Sequence, residues 1–499
     1  MKQTTFEEFV DLAKRATFVP VCKELVADLL TPVSAFLKIA EHSDYAFLLE
    51  SVEGGEHVGR YSFLGKDPFL ILRGKNGETE IEKAGVTSKA EKPFVDTLRE
   101  LMNSFQSPFV PGLPRFTGGA VGYLGYDTAA WFEPTTARAE ANTSDRDDAG
   151  FMLFDTVLAF DHVQHRILLI ANARISGDED LKSLYQFACA KIEFLEGELD
   201  RALSLKRTTG GEALKLVSNF SQEGYESIVK KAKEYIAAGD VYQVVLSQRF
   251  EAEVGVDAFT VYRALRHVNP SPYMFFIRMG DRSIVGSSPE MLVRVEGRHA
   301  VTHPIAGTRP RGKTPAEDAA LAKELLADPK ELAEHLMLLD LGRNDVGRVA
   351  KIGSVRVTEQ MVIERYSHVM HIVSNVEGEI DPKHDAIDAL MAGFPAGTVS
   401  GAPKVRAMEI IDELEKTRRG IYAGAIGYFA ANGAMDSCIA LRTALVKDRT
   451  LYIQAGGGIV ADSNPQAEYE ESQNKARALV RAAEEAVLFA AGRRGRNQG

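Results

Sequence analysis

Three β-type runs lie almost end to end near the C-terminus, at 423–431, 436–447 and 451–460. Asn432-Gly433 joins the first two. That dipeptide is a strong hairpin signal because both residues tolerate positive φ. Two further runs, Phe151–Phe160 and Arg166–Ile175, flank a short polar segment and read as another hairpin. Hairpins pair their strands antiparallel. The chain is therefore predicted to be α+β, built on antiparallel sheet, and not a series of βαβ units.

The rest of the pattern fits that frame. Residues 5–15 and 32–42 read as helices, the second with Thr31 as N-cap and Pro32 in its first position. Tyr45–Ser51 reads as a buried strand, with short strands near 61–65, 69–73 and 78–82 and a turn at 75–78. A helix is expected over 93–106. Residues 177–207 form a charged helix and linker that runs into Thr208-Thr209-Gly210-Gly211, which has nothing to bury. This places a boundary between an N-terminal region, 1–210, and a second region, 211–499. Beyond it, a helix over 221–238 stops at Gly239. Strands follow at 241–251, 273–279, 283–287, 291–295 and 299–303. Two helices begin at the caps Thr314 and Asp328, the first with Glu317 completing a capping box. Strands at 355–365 and 366–378, a helix at 384–392 and a long helix from about 465 complete the pattern.

A chain of 499 residues that is 45% hydrophobic and 26% charged can bury a large core. Its net charge of -11 argues against a nucleic-acid binder. The three cysteines, Cys22, Cys189 and Cys438, are far apart and show no disulfide or metal-binding spacing. The N-terminus lacks an apolar signal core, and no run is long enough to cross a membrane. A cytoplasmic protein is expected.

Chemistry-bearing clusters concentrate in the second half. Gly393–Lys404, GFPAGTVSGAPK, opens onto an amphipathic segment and could present backbone N–H groups to an anion. An ordinary helix start explains it equally well. Thr302–Gly312 reads as a polar loop with Gly307-Thr308 and two arginines. Gly456, Gly457 and Gly458 interrupt a good strand, which calls for either close approach of a ligand or a bulge. Arg442 can clamp a carboxylate, and is otherwise a surface arginine. Glu334 and Glu471 sit on separate helices; brought together they would suit Mg²⁺, but alone each reads as a solvated carboxylate, with Lys475 one turn beyond Glu471. His368 and His371 alternate along a strand, so only one can face a given pocket. No nucleophile elbow is present.

Taken together, the segments DVYQVVLSQR (240–249), SSPEML (287–292), PIAGTRPRG (304–312), AEHLMLLDLGRND (333–345), RYSHVMHIVS (365–374), FPAGTVSGAPK (394–404), ALRTA (440–444) and QAGGGIV (454–460) resemble the chorismate-using enzymes. That family makes anthranilate, aminodeoxychorismate, isochorismate and salicylate. The resemblance implies a large antiparallel-sheet α/β sandwich with a smaller intertwined N-terminal region. Where isochorismate- and salicylate-forming relatives carry a water-activating lysine, this chain has Gln243. Where aminodeoxychorismate-forming relatives carry a reactive lysine, it has Ala306. With LLES (48–51), these positions select the anthranilate-forming branch. The alternatives are the aminodeoxychorismate-forming branch and a non-catalytic amino-acid-sensing subunit.

The resemblance also implies roles. Glu334 and Glu471 match Mg²⁺ ligands that hold the ring carboxylate of chorismate. Gly307, Thr308, Tyr422, Arg442, Gly456, Gly457 and Gly458 match substrate-binding positions. Glu290 matches the acid that assists departure of the C4 hydroxyl, His371 the histidine needed for pyruvate loss, and Thr398 a neighbour of the incoming nucleophile. Ser51, Pro272, Tyr273 and Met274 match an allosteric tryptophan site. A separate glutamine amidotransferase subunit is the expected partner, making the assembly a hetero-oligomer.

Overall fold

The structure is a computed structural model that describes residues 3–51, 59–136, 147–177, 179–203, 214–366 and 369–490. The expected boundary at 210/211 and His368 lie outside these residues. Among the described residues, two twelve-stranded sheets carry the fold, and every strand pair is antiparallel. Strands from before and after residue 210 enter both sheets. In the first sheet, Tyr45–Glu50 pairs with Tyr273–Met279. In the second, Gly119–Leu124 pairs with Ala425–Ala430.

The layering follows from side-chain alternation. Along Tyr273–Met279, Met274 and Phe276 join a core shared with helices, while Phe275 and Ile277 join a core between the two sheets. Successive side chains of a strand point to opposite faces, and here both faces are covered. The outer face of the first sheet packs against the helices Pro32–Ala40, Leu181–Leu199, Ala258–Val268 and Pro465–Ala490. The outer face of the second packs against Phe94–Ser104 and Ala386–Gly393, while Gln222–Ala238 and Lys404–Leu414 pack on Gln243–Glu253 of the first sheet. The result is a four-layer helix–sheet–sheet–helix sandwich.

Local signals hold in detail. Thr31 caps Pro32–Ala40 by accepting from Ser34 N. Gly239 ends Gln222–Ala238 with φ 85°. Asn76 and Gly77, both at positive φ, turn the chain between Leu70–Lys75 and Glu78–Lys83. At Thr314 the expected box is modified: Thr314 accepts from Glu317 N, but the Glu317 carboxylate takes the Lys313 N–H.

Four expectations are corrected. The run 436–447 is not one strand, because Met435–Ile439 lies in the second sheet and Thr443–Lys447 in the first. The run 151–160 likewise divides into Ala149–Phe154 and Thr156–Asp161. Thr302–Gly312 is not simply a loop, since Ile305–Pro310 is a strand paired with Val369–Glu379. Arg442 lies between strands rather than on one, at φ 47°.

Candidate active site

A cavity of about 1100 Å³ is lined by residues of both sheets and by the helices Pro329–Gly347 and Pro465–Ala490. Every residue assigned above to catalysis, substrate or metal lines it: Glu290, Gly307, Thr308, Glu334, His371, Thr398, Tyr422, Arg442, Gly456, Gly457, Gly458 and Glu471. Gln243 and Ala306 line it too.

The first-sheet wall explains the three glycines. Thr450–Ile459 pairs with Gln243–Glu253 in unbroken register through Gly456↔Ser247, Gly457↔Leu246 and Gly458↔Val245. There is no bulge. A Cβ at Gly458 would stand 2.2 Å from Gln243 Nε2, and one at Gly456 would stand 2.0 Å from Leu246 O. At Gly457 it would meet the Glu468 and Glu471 carboxylates at 3.1 and 3.3 Å. Glycine here leaves room for the Leu246 carbonyl and for the side chains of Gln243, Glu468 and Glu471.

On the second-sheet wall the register slips between Ala306 and Thr308, and Gly307 takes φ 71°. This bulge turns the Gly307 carbonyl and the Thr308 hydroxyl onto His371, each 3.1 Å from Nδ1. A carbonyl only accepts, so Nδ1 carries the proton and Nε2 is the basic nitrogen.

The cavity lies where the chain crosses twice between the sheets. Glu290 sits between Arg282–Ser288 and Met291–Glu296, and Arg442 between Met435–Ile439 and Thr443–Lys447. The crossings are tied together. Ile439 N donates to Glu290 O, Ser288 Oγ donates to Ile439 O at 2.6 Å, and Ser287 N donates to Arg442 O. Glu290 is partly open to the cavity but enclosed by protein. Burial pushes its carboxyl up to about 8, against a weaker downward pull from the Thr398 hydroxyl and the Lys475 ammonium. Burial also pushes the Tyr422 phenol up to about 12, so it remains a donor.

Behind Tyr422 and Thr398 lies a buried ion pair. Arg419 bonds Glu415 at 2.6 Å and donates to Val399 O and Val245 O. Glu415 in turn accepts from Ser247 N and Oγ. This network pins the Gly393–Lys404 segment to the first sheet. Thr398 follows within a single turn, Gly397–Val399. Lys404 bonds both Asp345 oxygens and so anchors the next helix.

Carboxylates gather at the other side of the cavity. Glu334 is pushed up by burial first and then by Glu331, with Glu471 adding to the effect. Glu468 is pushed up by burial and by Glu471, partly offset by a bond from Ser463. Lys475 Nζ stands 2.7 Å from Glu471 Oε1 and donates to Gly456 O. Among the described residues, no three or more His, Cys, Asp or Glu side chains form a set that could hold a metal ion by themselves. Carboxylates close enough for Glu331 and Glu471 to raise the proton affinity of Glu334, and Glu471 that of Glu468, nevertheless suit a hard divalent cation completed by substrate oxygens and water. Glu331, Glu468 and Lys475 were missed as site residues. The signal was available: Glu331/Glu334 and Glu468/Glu471 each repeat at i, i+3 on one helix face.

The expected effector residues lie on neighbouring strands. Met274 pairs with Glu50, immediately before Ser51, and Tyr273 pairs with Ser288. Pro272 lines the cavity, whereas Ser51, Tyr273 and Met274 do not. Met274 is packed into the core, and the Tyr273 hydroxyl donates to Asp436.

The chain belongs to the chorismate binding enzymes, whose family model matches residues 44–481. It is 51% identical over 494 residues to "Anthranilate synthase component 1" of Cereibacter sphaeroides, covering 98% of this chain and 99% of that protein. It is 49% identical over 497 residues to the protein of the same name from Acetivibrio thermocellus, covering 97% and 98%. Among solved structures, anthranilate synthase component I from Streptococcus pneumoniae matches with a TM-score of 0.75 and 36% identity, over 91% of this chain and 99% of that one. The menaquinone-specific isochorismate synthase of Escherichia coli shares the fold, with a TM-score of 0.70, at 18% identity over 96% and 99%.

Proposed function

We propose that the chain is the chorismate-converting component of an anthranilate synthase, a lyase forming anthranilate and pyruvate from chorismate and ammonia. The observation that carries this reading is the convergence of all the assigned catalytic, substrate and metal residues on one cavity. The names of the similar proteins support it. So do the two discriminating positions: Gln243 offers no base to activate water, and Ala306 no amine to attack the ring.

In this reading Arg442 and Tyr422 hold the enolpyruvyl carboxylate, and Gly456–Gly458 let the ring lie against the strand. Glu334 and Glu471 would hold Mg²⁺, with Glu331 and Glu468 beside them. When bound, Mg²⁺ supplies positive charge that orients the ring carboxylate and draws electrons from the ring. Ammonia enters past Thr398 and attacks C2. Glu290 stays protonated near neutrality and donates to the departing C4 hydroxyl. His371, oriented by Gly307 O, then acts through Nε2 in the proton transfer that releases pyruvate and forms the aromatic ring.

Ammonia would be supplied in the cytoplasm by a glutamine amidotransferase subunit. Tryptophan bound at Ser51 and Pro272–Met274 would inhibit by shifting Tyr273 against Ser288, two residues from Glu290. The purified chain alone is expected to make anthranilate from chorismate with ammonium salts and Mg²⁺, but not with glutamine. Turnover with glutamine and no partner would contradict the division of labour. No turnover with ammonium would contradict the activity itself.

A further inference from the structure

We propose that a small second cavity behind Glu290 holds water that returns a proton to Glu290 from Asp345, which lines the same cavity. This rests on the reading above, in which Glu290 protonates the departing hydroxyl.

The second cavity has a volume of about 50 Å³. Glu290 and Thr398 line both it and the large cavity, so they form the partition between the two. Asp345 and His303 line only the smaller one. A water needs room for about one probe sphere and two to four polar partners, and this space provides both. Much of the remaining wall is apolar, including Leu292, Leu341 and Val349. Water held there has Glu290, Asp345, Thr302, His303 and Thr398 as its polar side-chain neighbours.

Asp345 is largely buried but keeps some exposure. It pairs with Lys404 at 3.1 Å, and the two side chains keep 14% and 13% of their surface exposed. Lys404 and Arg348 are the charged groups acting on it. Burial raises the proton affinity of Asp345 as it does that of Glu290. His303 is held neutral, chiefly by burial, and can serve as a further hydrogen-bond partner.

The proton balance closes. As the C2–N bond forms and the C4–O bond breaks, the Glu290 proton passes to the leaving oxygen and water departs. Glu290 is left as carboxylate, and the new C2 ammonium sheds one proton to solvent. One proton from solvent then returns through Asp345 and the cavity water to Glu290. The large cavity is filled by substrate during this step, so a route from behind keeps Glu290 rechargeable without opening the site.

The test uses the full chain with saturating chorismate, Mg²⁺ and ammonium, comparing Asp345→Asn and Ala389→Leu with the unmodified protein. Ala389 lines the small cavity, and leucine there would fill it. Both substitutions are expected to lower kcat about tenfold, leave both KM values within about twofold, and raise the solvent deuterium isotope effect on kcat. Added formate should restore the Asp345→Asn variant but not the plugged one. Unchanged kcat in both variants would overturn the relay, as would a lower kcat with an unchanged isotope effect, or a rise in KM alone. An unmodified chain that makes no anthranilate would end the functional reading instead, so the two failures are distinguishable.

Discussion

At the scale of single residues, Glu290 combines location and proton affinity most directly. Its side chain faces the cavity while protein encloses it, and burial raises its carboxyl from 4.5 to about 8. Activity that needs the protonated form should therefore fall as pH rises through about 8, measured as kcat against pH. Glu290→Gln should lower kcat at least a hundredfold and remove that limb. Stability should move the opposite way. A carboxyl with a raised folded pKa favours the fold fully below its unfolded pKa, and that contribution is lost as pH rises through the folded value. Glu290→Gln is thus expected to be more stable than the unmodified chain at pH 8, by on the order of 1–2 kcal/mol after allowing for cavity water, with the gap closing toward pH 4.5. Denaturant titrations at both pH values check this. The residue types of the site were legible, because glycines inside a strand and an arginine beside them need a reason. Glu290 was assigned only through resemblance, since nothing in its local spacing shows that two sheets close around it.

At the scale of elements, two features place the chemistry: the bulge at Gly307 and the chain crossings between sheets. Gly307 carries φ 71°, and a Cβ there would stand 3.1 Å from both Glu331 Oε2 and Leu325 Cδ1. Gly307→Ala is expected to cost about 1–2 kcal/mol and to lower kcat, because the carbonyl that fixes the His371 tautomer would turn. Thermal midpoint and steady-state kinetics together check it; an unchanged kcat would show that the bulge only serves packing. The crossings were not legible. Runs 151–160 and 436–447 read as single strands because the chain passes from one buried sheet to another through a continuous apolar interior. Hydrophobic periodicity reports burial and carries no mark of which sheet does the burying. Helix starts read well, because caps such as Thr31 and Asp328 act through bonds two or three residues away.

At the scale of the whole molecule, antiparallel α+β architecture was legible from the hairpins, whereas the intertwining of the N-terminal region was expected only through the resemblance. A stretch of sequence rich in Thr and Gly says nothing about strand order in the sheets. Because Tyr45–Glu50 covers Tyr273–Met279 and Gly119–Leu124 covers Ala425–Ala430, residues 211–499 expressed alone would expose two long apolar strand edges. That fragment is expected to be insoluble or to lack a cooperative thermal transition, as judged by circular dichroism; a cooperative, soluble fragment would contradict it. The large cavity is assembled by this interleaved scaffold, and its chemistry is the central claim. The most direct measurement incubates the purified chain with chorismate, Mg²⁺ and ¹⁵N-ammonium and analyses the products by mass spectrometry. The account predicts anthranilate carrying one ¹⁵N and an equal amount of pyruvate. Isochorismate, 4-amino-4-deoxychorismate or unchanged chorismate as the outcome would contradict it.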